Sequence, residues 1–117
     1  METKLTEIER EALILTGHIF LKSGKMNSAI AVFEGLEESA PDNPAVLKNL
    51  AYAYIYSKRY SDALKRMEKY LTRQNLTPRD RSRGVFMKAN ALWGMERAEE
   101  CRKAVEEFIA LRSRLET

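Results

Sequence analysis

Apolar residues recur along the first forty positions with the spacing of one helix face, and polar residues mark where that spacing stops. Two groups of three residues share the spacing i, i+4 and i+7: Leu13, Gly17 and Phe20, then Ala29, Phe33 and Leu36. This spacing predicts two amphipathic helices joined by a short turn. No segment alternates with a period of two for the length of a strand, so the sequence predicts an all-helical protein.

The pattern of large and small residues returns twice more along the chain. An offset of 34 residues gives the second unit, and a further offset of 38 gives the third. The equivalent residues are Leu47, Ala51, Tyr54, Ala63 and Met67 in the second unit, and Val85, Ala89, Leu92, Cys101 and Val105 in the third. Within each unit we expect the two small residues to meet, so that the helix backbones approach closely.

Boundary signals place the ends of the helices. Thr6 and Glu9 have the spacing of a capping box, and Gly24 ends the first helix. Asn43 and Thr77 each stand before a proline, which is the pattern of an N-cap followed by proline in the first turn. The predicted helices lie near 6–23, 27–40, 44–57, 60–73, 78–94 and 97–115.

A helix–turn–helix unit of 34 residues with these residue types resembles the tetratricopeptide repeat. The match is closest in the first unit, at Leu13, Gly17, Phe20, Ala29, Phe33 and the closing Pro41. The resemblance implies an all-α fold in which three tetratricopeptide-like helix-turn-helix repeats form a short right-handed superhelix with a concave groove. It also implies a single domain over residues 1–117, with repeats at about 10–43, 44–77 and 82–115.

The N-terminal unit also resembles the small tetratricopeptide chaperones of bacterial type III secretion, of the YscY type. The shared features are Leu5-Thr6, Leu15-x-Gly17, Leu21-x-x-Gly24 and Pro41. This resemblance implies a cytoplasmic chaperone that forms a heterodimer with a small, aggregation-prone substrate of the secretion apparatus and keeps it soluble before export.

In tetratricopeptide repeats the first helix of each pair lines the concave groove. The resemblance therefore implies a partner-binding site at Ile14, His18, Leu21, Lys48, Tyr52, Ile55, Tyr56, Phe86, Met87, Asn90 and Trp93. This face is mostly apolar, and an amphipathic helix of a partner protein is the ligand that fits such a groove. Two alternatives stay open: the face packs under the last helix, or it packs on a second copy of the chain, as in a homodimeric scaffold or adaptor.

Some tetratricopeptide domains bind a C-terminal carboxylate through Lys and Asn on their first helices. This chain has Ile14 and His18 where the first unit of such a site requires Lys and Asn. Lys48, Asn49 and Arg83 remain, without partners from the first unit. We therefore expect no carboxylate clamp of that kind.

Composition and charge narrow the class of protein. The chain has 117 residues, 44% of them hydrophobic, with one cysteine and no run of roughly 18 apolar residues. Its start is acidic, unlike a signal peptide, so we expect a cytoplasmic protein. Residues 58–83 hold nine bases against three acids. An RNA-binding role for the basic stretch 73–83 is an alternative, although that stretch has no aromatic residue for base stacking.

The residues needed for catalysis are sparse. His18 is the one histidine, and Cys101 stands at a position predicted to lie in the core. The sequence has no glycine-rich phosphate loop and no set of residues with the spacing of a metal site. We therefore predict no enzyme activity, no cofactor and no metal. The basic face formed by Lys58, Arg59, Lys65, Arg66 and Lys69 offers a further docking surface for an acidic partner.

Overall fold

A computed structural model describes residues 5–116, which fold into six α-helices joined by short turns. The helices are α1 (Glu7–Lys22), α2 (Met26–Ser39), α3 (Pro44–Tyr56), α4 (Tyr60–Leu71), α5 (Pro78–Gly94) and α6 (Ala98–Leu115). Every predicted helix is present, with ends no more than two residues from the predicted ones. Residues 1–4 and 117, which the predicted domain includes, lie outside the described part of the chain.

The helices form three antiparallel pairs that stack in chain order. α1 packs on α2, α3 on α4 and α5 on α6, and the second helix of each pair also packs on the first helix of the next. Contacts of α1 with α3 and of α3 with α5 align the first helices along one side of the stack. These contacts confirm the predicted fold of helix-turn-helix repeats with a concave side. The exact repeat boundaries stay a prediction.

The predicted caps fix where three of the helices begin. The Thr6 hydroxyl accepts from the Glu9 amide at 3.1 Å, and the Glu9 carboxylate accepts from the Thr6 amide at 3.0 Å. These two bonds complete the capping box and lower the pKa of Glu9. Asn43 and Thr77 cap α3 and α5 through their side-chain oxygens. Each cap satisfies backbone amides that have no partner within the helix.

The turns inside the three pairs share one backbone conformation. Gly24, Lys58 and Glu96 have φ angles of 75°, 61° and 62°, and they are separated by the 34 and 38 residues of the sequence repeat. The amide of the next residue donates to a carbonyl five residues earlier: Lys25 to Phe20 at 2.9 Å, Arg59 to Tyr54 at 2.7 Å and Arg97 to Leu92 at 3.0 Å. The repeat therefore extends to individual backbone angles, although two of its three left-handed positions lack the glycine that suits them.

The small residue of α1 contacts a large residue of α2, contrary to the expectation that small residues would meet. A Cβ atom at Gly17 would lie 2.5 Å from Cζ of Phe33, far inside ordinary contact distance. The nearest side-chain atoms to that position all belong to the Phe33 ring, which is completely buried. The glycine therefore makes room for the aromatic ring of the second helix.

The third pair departs from the predicted core at Val105. Its equivalents Phe33 and Met67 are completely buried, whereas Val105 is 39% exposed. Phe33 and Met67 lie on α2 and α4, and each of those helices has a further pair stacked on it. Among the described helices α6 packs on α5 alone, so its outer side has no cover. Cys101, at the small position, is buried as predicted.

Candidate functional site

The concave side of the stack contains a cavity of about 740 Å³ bordered by α1, α3, α5 and α6. The structure brings nine of the eleven predicted groove residues together around it: His18, Leu21, Lys48, Tyr52, Ile55, Tyr56, Phe86, Met87 and Asn90. The first helices are placed side by side by their direct contacts, so side chains one turn apart on each helix form neighbouring rows. We call this surface the concave groove.

Aromatic side chains form the most exposed apolar part of the concave groove. Tyr52 and Tyr56 lie one turn apart on α3, with ring centroids 4.6 Å apart and ring planes tilted by 36°. A hydrogen bond with Tyr56, together with partial burial, raises the pKa of Tyr52. The exposed fractions of Tyr52, Tyr56 and Phe86 are 39%, 63% and 51%. Such large exposed rings are typical of surfaces that bind another molecule.

The last helix contributes two residues to the concave groove that were not among the predicted groove residues, although packing of this face under the last helix was one of the alternatives. Phe108 and Arg112 of α6 border the cavity, and the Phe108 ring lies 5.1 Å from that of Phe86. α6 spans 18 residues, against 12 for α4. The signal in the sequence was the apolar spacing Cys101, Ala104, Phe108 and Leu111, which continues beyond the third repeat unit's last marker.

Four polar residues that border the cavity were also absent from the predicted groove residues. Lys22, Asn49, Ser82 and Arg83 border the cavity, although Asn49 and Arg83 had been considered for a carboxylate clamp. Asn49 is only 8% exposed, and Ser82 is completely buried with its hydroxyl donating to the Arg79 carbonyl at 2.8 Å. The groove therefore combines an apolar floor with basic and amide groups.

Two predicted groove residues lie outside the cavity. Ile14 is half-buried and packs against the hydrophobic core, because it faces inward from α1. Trp93 is 70% exposed and stands near the C-terminal end of α5, three residues beyond Asn90, where the cavity has ended. That Ile14 and Trp93 contribute to the partner-binding groove stays a prediction, although neither of them borders the cavity.

Several apolar side chains are exposed away from the concave groove. Ile8, Leu15 and Ile19 are 79%, 64% and 63% exposed and follow one another at helical spacing on α1. Ile109 on α6 is 56% exposed and does not border the cavity. The structure therefore presents a second apolar strip, on the side of α1 opposite the core.

The structure offers little support for chemistry at the histidine or the cysteine. His18 is exposed at the edge of the concave groove on α1, whereas Cys101 is buried in the core on α6. Within residues 5–116 no three His, Cys, Asp or Glu side chains are grouped so that they could hold a metal ion. In the same part of the chain, no helix is long and apolar enough to cross a membrane.

The basic stretch 73–83 stabilises its own loop. The Arg73 guanidinium donates to the Asp42 carbonyl at 2.9 Å. Arg81 donates to the carbonyls of Leu71 and Arg73 at 3.3 and 3.0 Å. Two of the arginines considered for RNA binding are therefore engaged in holding the connection between α4 and α5.

Bases on the outer face of α4 are paired with acids. Arg66 forms a two-pronged interaction with Glu37, at 2.8 and 3.1 Å. Arg59 pairs with Asp62 at 3.0 Å, and Lys69 with Asp42 at 3.2 Å. Three of the five bases considered for this face are therefore paired within the chain, which weakens the idea that it docks an acidic partner.

Comparisons with known proteins agree on the fold. A search of curated proteins found no match. Among solved structures, the chain is similar to the first TPR domain of Spaghetti (RPAP3), determined bound to the HSP90 peptide SRMEEVD. The two share 21% sequence identity and a TM-score of 0.78, over 94% of this chain and 84% of that one. The profile of the tetratricopeptide repeat matches residues 20–79, just over half of the sequence, and the chain therefore belongs to the tetratricopeptide repeat family.

Proposed function

We propose that this protein is a non-enzymatic chaperone whose concave groove holds a hydrophobic helix of a small partner protein and keeps that partner soluble. The observation that carries the proposal is the cavity of about 740 Å³ with the exposed rings of Tyr52, Tyr56 and Phe86 on its surface. Burying apolar surface of this kind is a main driving force of protein association, and its concentration in a concave site favours a specific occupant.

The arrangement of the rings favours a helix as that occupant. Tyr52 and Tyr56 are one turn apart on α3, and Phe86 and Asn90 are one turn apart on α5. Two such rows facing one cavity leave a channel into which the apolar stripe of an amphipathic helix packs, with anchors at i, i+3 or i+4, and i+7. The similar TPR domain was determined with an HSP90 peptide bound, which supports a segment of another protein as the ligand of this chain.

We further propose that the partner is a small export substrate or component of a type III secretion apparatus and that the two proteins form a cytoplasmic heterodimer. The support is the resemblance of the N-terminal unit to chaperones of that apparatus. Two residues of that resemblance have structural roles in this chain: Gly17 accommodates the Phe33 ring, and Gly24 adopts the left-handed conformation of the first turn.

The test is a pull-down from cells that assemble a type III secretion apparatus. We compare the wild-type chain with a variant carrying Tyr52→Ala and Phe86→Ala. We expect the wild type to co-purify with one small secretion protein that is insoluble when it is expressed alone. We expect the variant to lose it, because truncating a buried aromatic anchor typically costs about 2 kcal/mol or more of binding free energy.

Ile109→Ala is the matched control, since Ile109 is exposed on α6 outside the cavity. It removes a large apolar side chain and is expected to keep the partner. Circular dichroism confirms that each variant is folded. A groove variant that retains the partner at wild-type level contradicts the groove model, and a partner that is soluble without the chain contradicts the chaperone role.

A second candidate function is a homodimeric scaffold or adaptor, favoured by the exposed strip of Ile8, Leu15 and Ile19 on α1. Sedimentation of the purified chain distinguishes the two functions. A stable dimer that Leu15→Glu converts to monomer favours the scaffold, whereas a monomer that aggregates until a partner is supplied favours the chaperone.

A further inference from the structure

The concave groove is bordered by basic side chains and by no acidic ones among the described residues. Four basic side chains border its cavity, one or more from each of its helices: Lys22 on α1, Lys48 on α3, Arg83 on α5 and Arg112 on α6. No aspartate or glutamate is among the described residues that border it. The apolar walls of the cleft have a low dielectric constant and concentrate the electric field of these cations. The groove therefore attracts negatively charged groups.

These four bases differ from the bases on the outer face of α4. Arg66, on the outer face, is 21% exposed and has Glu37 as a two-pronged partner within the chain. None of the four groove bases forms an ion pair with a carboxylate of residues 5–116. The described chain therefore pairs some of its outer bases with carboxylates, whereas all four bases of the groove stay available to another molecule.

Two of the groove bases lie one helical turn from the paired rings of Phe86 and Phe108. Arg83 lies one turn before Phe86 on α5, and Arg112 lies one turn after Phe108 on α6. Because α5 and α6 form an antiparallel pair joined by a short turn, both guanidinium groups lie beyond the rings toward the same end of the groove. A ligand that contacts Phe86 and Phe108 with an apolar side chain reaches both arginines one turn further on.

Asn49 adds an independent observation at the same cavity. The residue as a whole is 8% exposed. The amide forms no hydrogen bond with any residue in the described part of the chain, and it borders the cavity. Its amide atoms remain accessible from the cavity, so they can exchange hydrogen bonds to water for bonds to a polar group of a ligand.

We propose that the occupant of the concave groove is an amphipathic helix with carboxylate side chains one turn away from its apolar anchors. This inference rests on the proposed function, since it takes a protein helix as the ligand. The apolar anchors contact Tyr52, Phe86 and Phe108, while the carboxylates accept hydrogen bonds from Arg83, Arg112 and the Asn49 amide. Guanidinium and amide donors suit carboxylate oxygens, and charge-assisted bonds of this kind are the stronger ones.

The test uses labelled synthetic helices and the full chain. Three peptides of about five helical turns, each made with an amidated and with a free C-terminus, share one leucine stripe and carry Glu, Gln or Lys at the positions one turn from it. We expect the Glu peptide to bind more tightly than the Gln peptide by about tenfold or more, and the Lys peptide to bind weakest. We also expect salt to weaken the binding of the Glu peptide most.

Variants of the chain test which basic residues cause the preference for the Glu peptide. Arg83→Gln combined with Arg112→Gln is expected to remove the preference for Glu over Gln. The matched control, Arg79→Gln with Lys103→Gln, changes exposed bases of the same two helices that do not border the cavity and is expected to keep that preference. Asn49→Ala is expected to weaken binding of the Glu peptide without loss of thermal stability, since it removes an amide that borders the cavity and forms no side-chain hydrogen bond in the described part of the chain.

The outcomes separate this inference from the proposed function. Equal binding of all three peptides in the groove overturns the charge preference and leaves the proposed function standing. A preference that appears only when the peptide has a free C-terminal carboxylate also overturns the inference, because the recognised group is then the chain end. Binding of none of the peptides, free or amidated, contradicts the helix-binding groove and this inference with it.

Discussion

The ring of Phe86 on α5 lies 5.1 Å from the ring of Phe108 on α6, with the ring planes tilted by 42°. The contact occurs at the surface of the concave groove, since Phe86 is 51% exposed and Phe108 is half-buried against the core. It makes the last helix a wall of the groove as well as the partner of α5. A ligand bound there contacts both helices of the third pair.

We predict that Phe108→Ala weakens both the fold and the binding of the partner. Truncating a buried phenylalanine typically costs 3–5 kcal/mol, so the half-buried Phe108 is expected to cost about 2 kcal/mol of unfolding free energy. Loss of the wall is expected to lower partner affinity by about tenfold. Urea unfolding and calorimetric titration with the co-purified partner measure the two effects.

Ile109→Ala provides the control for that prediction. It truncates the neighbouring residue, which is 56% exposed and outside the cavity. The unfolding free energy and the affinity for the partner should therefore both stay near those of the wild type. Unchanged affinity in Phe108→Ala would show that the partner does not contact α6.

The sequence predicted the helices well because their signals are local. The side-chain caps at Thr6, Asn43 and Thr77 and the spacing of the apolar residues depend on neighbours along the chain. The sequence also identified most of the groove, because a repeated unit places equivalent residues on equivalent faces. The phase of the repeat does not show where the cavity ends, so the predicted groove residue Trp93 lies beyond it.

The two groove residues of α6 that were missed depend on contacts between different helices. Phe108 and Arg112 reach the groove because α6 turns back along α5, and Arg112 lies beyond the length of α2 or α4. The contact of Gly17 with Phe33 likewise depends on how α1 and α2 cross. Aligning the repeat units with one another compares the sizes of equivalent residues. It does not show which residue of the neighbouring helix each of them contacts.

Gly17 and Gly35 provide a matched pair of glycine substitutions within the first repeat. We predict that Gly17→Ala destabilises the chain by about 1–3 kcal/mol, because its Cβ would overlap the Phe33 ring inside a closely packed core. Gly35 is exposed on α2, and a Cβ there would meet no atom within 4 Å. Gly35→Ala is therefore expected to stabilise the chain by up to about 1 kcal/mol. Urea unfolding at neutral pH measures both, and a tolerated Gly17→Ala would contradict the tight contact.

The left-handed turn residues give a prediction in the opposite direction. Lys58 and Glu96 hold positive φ angles at positions equivalent to Gly24, where residues other than glycine are strained. We predict that Lys58→Gly and Glu96→Gly each stabilise the chain by about 0.5–1 kcal/mol, whereas Gly24→Ala destabilises it by a similar amount. Melting temperatures check the three variants. Destabilisation by both glycine substitutions would contradict the assigned turn conformation.

Tyr54 connects the first two repeats through a buried phenol. Its hydroxyl donates to the Glu34 carboxylate at 2.5 Å, and the guanidinium carbons of Arg59 and Arg66 lie 4.5 and 5.1 Å from the ring centroid. Burial and the hydrogen bond to Glu34 raise the pKa of Tyr54 far above its ordinary value. The folded protein therefore holds this proton at a pH where the unfolded chain releases it.

This difference in pKa predicts how stability changes in alkali. Since the folded pKa is the higher one, the stabilising contribution of the protonated phenol is complete below the unfolded value of about 10 and is lost as the pH rises above it. Tyr54→Phe removes this contribution, so we predict that its unfolding free energy falls less steeply between about pH 9.5 and 11 than that of the wild type, by about one proton per molecule. Other tyrosines, lysines and the cysteine titrate in both proteins and cancel in the comparison. Near pH 7 the variant should lose about 1 kcal/mol, the usual net value of one hydrogen bond. Parallel alkaline slopes for the two proteins would mean that Tyr54 ionises as readily in the folded chain as in the unfolded one, contrary to a buried phenol bonded to Glu34.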